Sequence, residues 1–125
     1  MSVRLKVVKG TMQTAGIVFR FVDPENYYVI NASALEQRVD LFRVVDGRIK
    51  RIGGTDANVV LNNWHKLGVT AADDQFMISF DNAPLFTISD RTFLNHGHVG
   101  LWTEEGNVAR FEQLEIKSLP RSEDR

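Results

Sequence analysis

Between positions 20 and 40 the chain carries Arg20, Tyr27, Asn31, Glu36, Arg38 and Asp40, and further on Trp102 stands between Leu101 and Thr103. Guanidinium, amide and carboxylate groups can take hydroxyls in pairs, while an aromatic ring stacks on the C–H face of a pyranose. That chemistry suits a sugar. The same residues also suit a solvated sheet face, with Arg20 or Arg38 paired across strands to Glu36 or Asp40 at roughly 0.2–1 kcal/mol each. Residue types alone leave both readings open, with Trp102 as either a packing residue or a ligand platform.

Other chemistries find less support. His65, His96 and His98 include an H-G-H run, but no cysteine or paired-carboxylate motif accompanies them, so no zinc site is expected. The scattered aspartates form no D-x-D-x-D-G loop, which excludes an EF-hand calcium site. There is no G-x-S-x-G, no H-E-x-x-H and no phosphate-cradling glycine loop, and no cofactor is expected. A glycosidase needs two carboxylates about 5–9.5 Å apart. Glu36 and Asp40, four residues apart on one strand, would stand roughly 13 Å from each other, so either would need a carboxylate from elsewhere.

The elements that must position these groups read as strands. Val3, Leu5 and Val7 alternate with Arg4 and Lys6 over residues 2–9. Residues 15–22, 27–32 and about 36–45 follow as a consecutive antiparallel group. The turns between them are expected at Asp23-Pro24-Glu25-Asn26 and at 32–35. Asp46-Gly47 is the strongest hairpin signal, returning through 48–52 to an expected loop at 53–58. Further strands are expected from Trp64, over Gln75–Phe80, over Pro84–Ile88, over 98–103 and over 107–117. A phase change in the last calls for a bulge near Glu112-Gln113. No stretch has sustained helical spacing, so some nine or ten short strands predict an all-β sandwich or barrel.

Loop lengths of four predict a register in which Arg20 faces Val29, Val18 faces Asn31, Asn31 faces Glu36 and Tyr27 faces Asp40. Ile17, Phe19, Phe21, Tyr28, Ile30, Val39 and Leu41 then share a core face. Arg20, Tyr27, Asn31, Glu36, Arg38 and Asp40 share the other, among Val18, Val22 and Val29. A one-residue slip would bury the charges at several kcal/mol each.

With 125 residues, the chain has room for one core. Its formal net charge is −1, from 15 basic and 16 acidic residues, which argues against nucleic acid or an anionic membrane as partner. No apolar run is long enough to span a bilayer. The N-terminus lacks the apolar segment of a signal peptide and reads as a strand. Absence of cysteine leaves the compartment undetermined. A domain over 1–119 and a polar tail over 120–125 are expected.

The runs AGIVFRFVDPENYY, ALE and LF, then WHKLGV, then FDNAPLFTISDRTF and GHVGLWT, together resemble bacterial concanavalin A-like (laminin-G-like) jelly-roll domains. More narrowly, they resemble the group described as family 16 glycoside hydrolase-like or 3-keto-disaccharide hydrolase domains, over residues 3–117. The resemblance implies a sandwich of two curved antiparallel sheets, often extracellular or periplasmic and tied to glycan metabolism. The chain departs from that pattern at polar positions. Asn31 stands in place of an arginine and Ser33 in place of an asparagine. Glu104 replaces a basic residue, and Glu112-Gln113 an acidic pair. Such changes favour transfer of the fold over transfer of catalysis.

The resemblance also implies a missing N-terminal segment of strands, hence an exposed sheet edge and either homo-oligomerisation through it or a fragment of a longer protein. Three functions follow as expectations. The first is a noncatalytic carbohydrate-binding module using Arg20, Tyr27, Asn31, Glu36, Arg38, Asp40 and Trp102. The second is a glycoside or 3-keto-disaccharide hydrolase. The third is an assembly domain that binds another protein chain.

Overall fold

The structure, a computed structural model, describes residues 1–94, 97–103 and 106–116. It contains β1 (Ser2–Lys9), β2 (Thr14–Asp23), β3 (Asn26–Ser33), β4 (Arg38–Val45), β5 (Arg48–Asp56), β6 (Trp64–Ala72), β7 (Gln75–Phe80), β8 (Ala83–Ser89), β9 (His98–Trp102) and β10 (Val108–Glu115). The described residues include no helix. The strands form two five-stranded antiparallel sheets, β10-β1-β6-β7-β8 and β5-β4-β3-β2-β9. This is the expected all-β sandwich, of the concanavalin A-like jelly-roll type. β1 is an interior strand between β10 and β6.

Alternation explains the core. Val3, Leu5 and Val7 from β1, Leu67 and Val69 from β6, and Phe76 and Ile78 from β7 bury one face. They meet Ala15, Ile17, Phe19, Tyr28, Ile30, Ala32, Val39 and Leu41 from the other sheet. Each large side chain removed from water contributes about 1.5–3 kcal/mol. Phe19 stacks on Tyr28 at 5.3 Å, and Phe76 meets both edge-on at 5.3 and 4.9 Å. Along the β5/β8 side the sheets approach closely, because Gly53 leaves room for Ile88 and Phe86.

Both expected registers of the central group are corrected. Asp23 pairs with Asn26, as a short turn requires, but Phe19 already pairs with Tyr28 and Ile17 with Ile30. The intervening residues form a bulge, with Arg20 in the left-handed region at φ 49°. The bulge inverts the facing of its own residues. Arg20 is turned away from the expected polar face and is 7% exposed. Phe21, expected in the core, instead stacks on Tyr27 at 5.6 Å. Between β3 and β4, Asn31 pairs with Asp40 rather than Glu36, Val29 with Phe42, and Tyr27 with Val44. The turn lies at 34–37 instead of 32–35, held by the Glu36 N–H donating to Ser33 Oγ at 3.0 Å and Gln37 Nε2 donating to Ala34 O at 2.7 Å. This shift is even, so Val39 and Leu41 still face the core. β5 also outruns its expected end at residue 52, pairing through Asp56. The expected bulge in the last strand is present: Gln113 has φ 54°, and the β1 register shifts beside it.

Candidate functional site

The outer face of the β5-β4-β3-β2-β9 sheet can be followed row by row through its pairings. Trp102, Gly16, Asn31, Asp40 and Gly54 form one row. Thr14, Ser33, Arg38 and Asp56 form the next, and Gly100, Val18, Val29, Phe42 and Arg51 flank the first on the other side. Strand alternation puts all of these opposite the core. Of the candidate residues, Tyr27, Asn31, Arg38, Asp40 and Trp102 therefore share one face, although by a different register from the expected one.

Asp40 is the electrostatic centre of that face. Its side chain is 7% exposed, and Arg38 reaches it at 3.1 Å and Arg51 at 3.7 Å. Arg38 also holds Asp56 at 3.1 Å. The hydrogen bond and charge of Asp40 push the Arg38 guanidinium above its ordinary value. Gly54 makes this packing feasible, since a Cβ there would overlap the Asp40 carboxylate. The charges of Arg38 and Arg51 cancel those of Asp40 and Asp56, so the patch offers directed hydrogen bonds rather than a net field.

Two oxygens beside this centre are unspent. Thr14 Oγ1 and Asn31 Oδ1 are buried and have no hydrogen-bond partner among the described residues. A buried polar atom left unpaired costs about 1–3 kcal/mol. Both lie on this outer face, one row apart. Trp102 flanks Asn31 across Gly16, which has no side chain to separate them. At the opposite end the face becomes aromatic, with the Phe21–Tyr27 stack and His98 paired beside Phe21.

Two expected members fall elsewhere. Glu36 lies in the β3–β4 turn, exposed beside Gln37, Asp56 and Asn58. Arg20 ties the sandwich ends together. Its Nη1 donates to the carbonyls of Asp73 and of Phe93 (2.8 Å for the latter), and its guanidinium lies 5.0 Å from the Phe76 ring centroid. Burial lowers its pKa, against the nearby Tyr28, Asp73 and Asp74. A neighbouring network joins Tyr28, Asp90 and Arg43. The Tyr28 hydroxyl donates to Asp90 Oδ1 and accepts from the Phe93 N–H at 3.2 Å. Arg43 Nη1 binds Asp90 Oδ2 at 2.8 Å.

The histidines and Trp64 do other work. His65 Nδ1 lies 2.7 Å from Asp81 Oδ2, its Nε2 accepts the Val60 N–H at 2.9 Å, and its ring stacks on Phe80. These bonds occupy both ring nitrogens. His96, Glu104 and the tail from 120 lie outside the described residues. The described residues hold no cluster of three or more histidine or acidic side chains arranged for a metal. Trp64 lies on the outer face of the other sheet, under Arg4 and Lys6.

Sequence reasoning missed Thr14, which fell just outside the expected strand over 15–22, and Arg51, placed in a strand but not on this face. The Asp46-Gly47 signal held the means to find Arg51. Both residues have positive φ, 49° and 77°, and this two-residue turn sets Val45 against Arg48 and hence Phe42 against Arg51.

Comparison with known proteins agrees with the architecture. The sequence matches no protein-family model and no curated protein. Among solved structures it is similar to the carbohydrate-binding module CBM66 from Bacillus subtilis, with TM-score 0.81, 23% identity, and coverage of 89% of this chain and 69% of that one. It is also similar to the Caenorhabditis elegans galectin LEC-6, with TM-score 0.66, 17% identity, and coverage of 90% and 80%. A third similar structure is a Bacillus licheniformis beta-glucanase, at TM-score 0.56 and 12% identity, covering 86% of this chain and 52% of that one. At these identities the likeness is one of fold.

Proposed function

We propose that the protein is a noncatalytic carbohydrate-binding module that takes a neutral sugar on the outer face of the β5-β4-β3-β2-β9 sheet. The observation that carries this reading is the pair of orphaned buried oxygens, Thr14 Oγ1 and Asn31 Oδ1, next to the charge-balanced Arg38–Asp40–Arg51–Asp56 group. Sugar hydroxyls donate to such acceptors and accept from the arginines, while Trp102 offers a stacking face. Tyr27 and its Phe21 partner extend the surface at the other end. The fold shared with a carbohydrate-binding module and a galectin supports the reading.

Glycoside hydrolysis requires one carboxylic acid and a second carboxylate flanking the bond. Asp40 is engaged by two arginines, Asp56 shares Arg38 with it, and Glu36 lies in the turn. This arrangement suits holding a sugar better than cleaving one. A glycan array followed by calorimetry on the retained ligands tests the proposal. Saturable binding lost in Asn31→Ala, with no product released from ordinary or 3-keto glycosides, is the expected result. Turnover of a bound glycoside would replace it with the hydrolase reading. Absence of any glycan binding, with capture of another protein through the same face, would replace it with the assembly reading.

A further inference from the structure

The β4–β5 hairpin projects past the core, and its core-side face is basic. Arg43 and Val45 on β4 pair directly with Lys50 and Arg48 on β5. A groove of about 650 Å³ lies along these residues, with Asp46 at the turn and Thr92 on the facing segment. Placing Arg43 directly opposite Lys50 is unfavourable for a sheet, because like charges across a ladder repel. Asp90 answers only one of the two. Arg43 Nη1 bonds to Asp90 Oδ2 at 2.8 Å and Thr92 Oγ1 at 3.3 Å, which fixes the guanidinium at the groove wall. Arg48 and Lys50 have no ion pair or side-chain hydrogen bond among the described residues. The turn end carries the opposite sign: Asp46 lines it, and the Glu25 side chain approaches Gly47.

We propose that this groove is a binding site for an oxyanion, a sulfate, phosphate or carboxylate group. Arg43 supplies a pre-positioned planar donor and Thr92 a hydroxyl, and Arg48 and Lys50 close around the anion as mobile cations. The site lies behind β4, on the opposite side of the sheet from Asn31 and Asp40, so it does not depend on the sugar-binding reading. Two sources present this chemistry: a free inorganic ion, and an acidic group carried on a saccharide.

Amide chemical shifts recorded during separate titrations with sodium sulfate, inorganic phosphate and tri-galacturonic acid test the site. Expected are saturable shifts confined to residues 43–50 and 90–93, weakened at least tenfold in Arg48→Gln/Lys50→Gln, whose exposed positions leave the fold intact by circular dichroism. Saturation by an inorganic ion identifies a free anion as sufficient, and saturation by the uronate alone identifies a glycan-borne group; both support the site. In Asp40→Ala the shifts should persist. Shifts that rise linearly without saturation, or that are unchanged in the double variant, overturn the proposal.

Discussion

Asn31 on β3 stands directly opposite Asp40 on β4, and the two differ in how their oxygens are used. Asp40 is gripped by Arg38 and Arg51, whereas Asn31 Oδ1 is buried without a partner. A charge-paired carboxylate thus stands directly beside a buried acceptor that has no partner among the described residues, and the proposed sugar site is built around that contrast.

Asn31→Leu separates ligand binding from stability. Removing an unsatisfied buried oxygen should leave the unfolding free energy unchanged or raise it by up to about 1 kcal/mol. Sugar affinity should fall at least tenfold. Urea unfolding and calorimetry measure the two effects, and a large loss of stability would show that Asn31 is structural.

Trp102→Ala should cost about 1–2 kcal/mol of binding, the range of an aromatic anchor on an open face. Ligand should change the emission of the parent protein but not that of the variant. The remaining Trp64 lies on the other sheet beneath Arg4 and Lys6 and should report nothing.

The adjacent glycines of β5 should behave differently. Gly54→Ala drives a methyl group into the Asp40 carboxylate and towards Arg38, so affinity should be lost along with about 1–3 kcal/mol of stability. Gly53→Ala presses instead on Ile88 at 2.6 Å and Phe86 at 3.2 Å. It should lower the melting temperature and leave sugar affinity intact.

Arg20→Met tests the corrected place of that residue. The carbonyls of Asp73 and Phe93 lose their donor, at about 2–4 kcal/mol. Affinity per folded molecule should be unchanged; a selective loss of binding would return Arg20 to the sugar site.

The Tyr28–Asp90 pair should shape stability at both ends of the pH scale. Burial opposes ionisation of Asp90, yet hydrogen bonds from Tyr28 and Thr92 and the Arg43 charge outweigh it, so its pKa is lowered. Its contribution is therefore complete above the ordinary carboxylate pKa of about 4 and is lost as pH falls through the depressed folded value. Burial and the Asp90 bond push Tyr28 up to about 12. Its contribution is complete below the ordinary tyrosine pKa of about 10 and is lost as pH rises through the folded value. Denaturant melts across pH should show Asp90→Asn flattening the acid limb and Tyr28→Phe the alkaline limb.

Much of the candidate site was legible because strand alternation survives an even error in register. Arg38 and Asp40 stayed on the polar face although their partners on β3 moved by four positions, and Val39 and Leu41 stayed in the core for the same reason. Glu36 did not follow them, since the turn took it. Thr14 looked like loop because its strand begins inside a polar run.

The sequence by itself determined a series of alternating strands, the apolar skeleton of the core and the polar character of one face, since these depend on a period of two that local residue order displays. Only the tertiary structure decided which polar groups meet. The bulge at Arg20 turns a charge inward because carbonyls from Asp73 and Phe93, more than fifty residues away in sequence, wait to receive it, while Phe21 takes its place outside. Long-range partners set that exchange, and no local pattern encodes them.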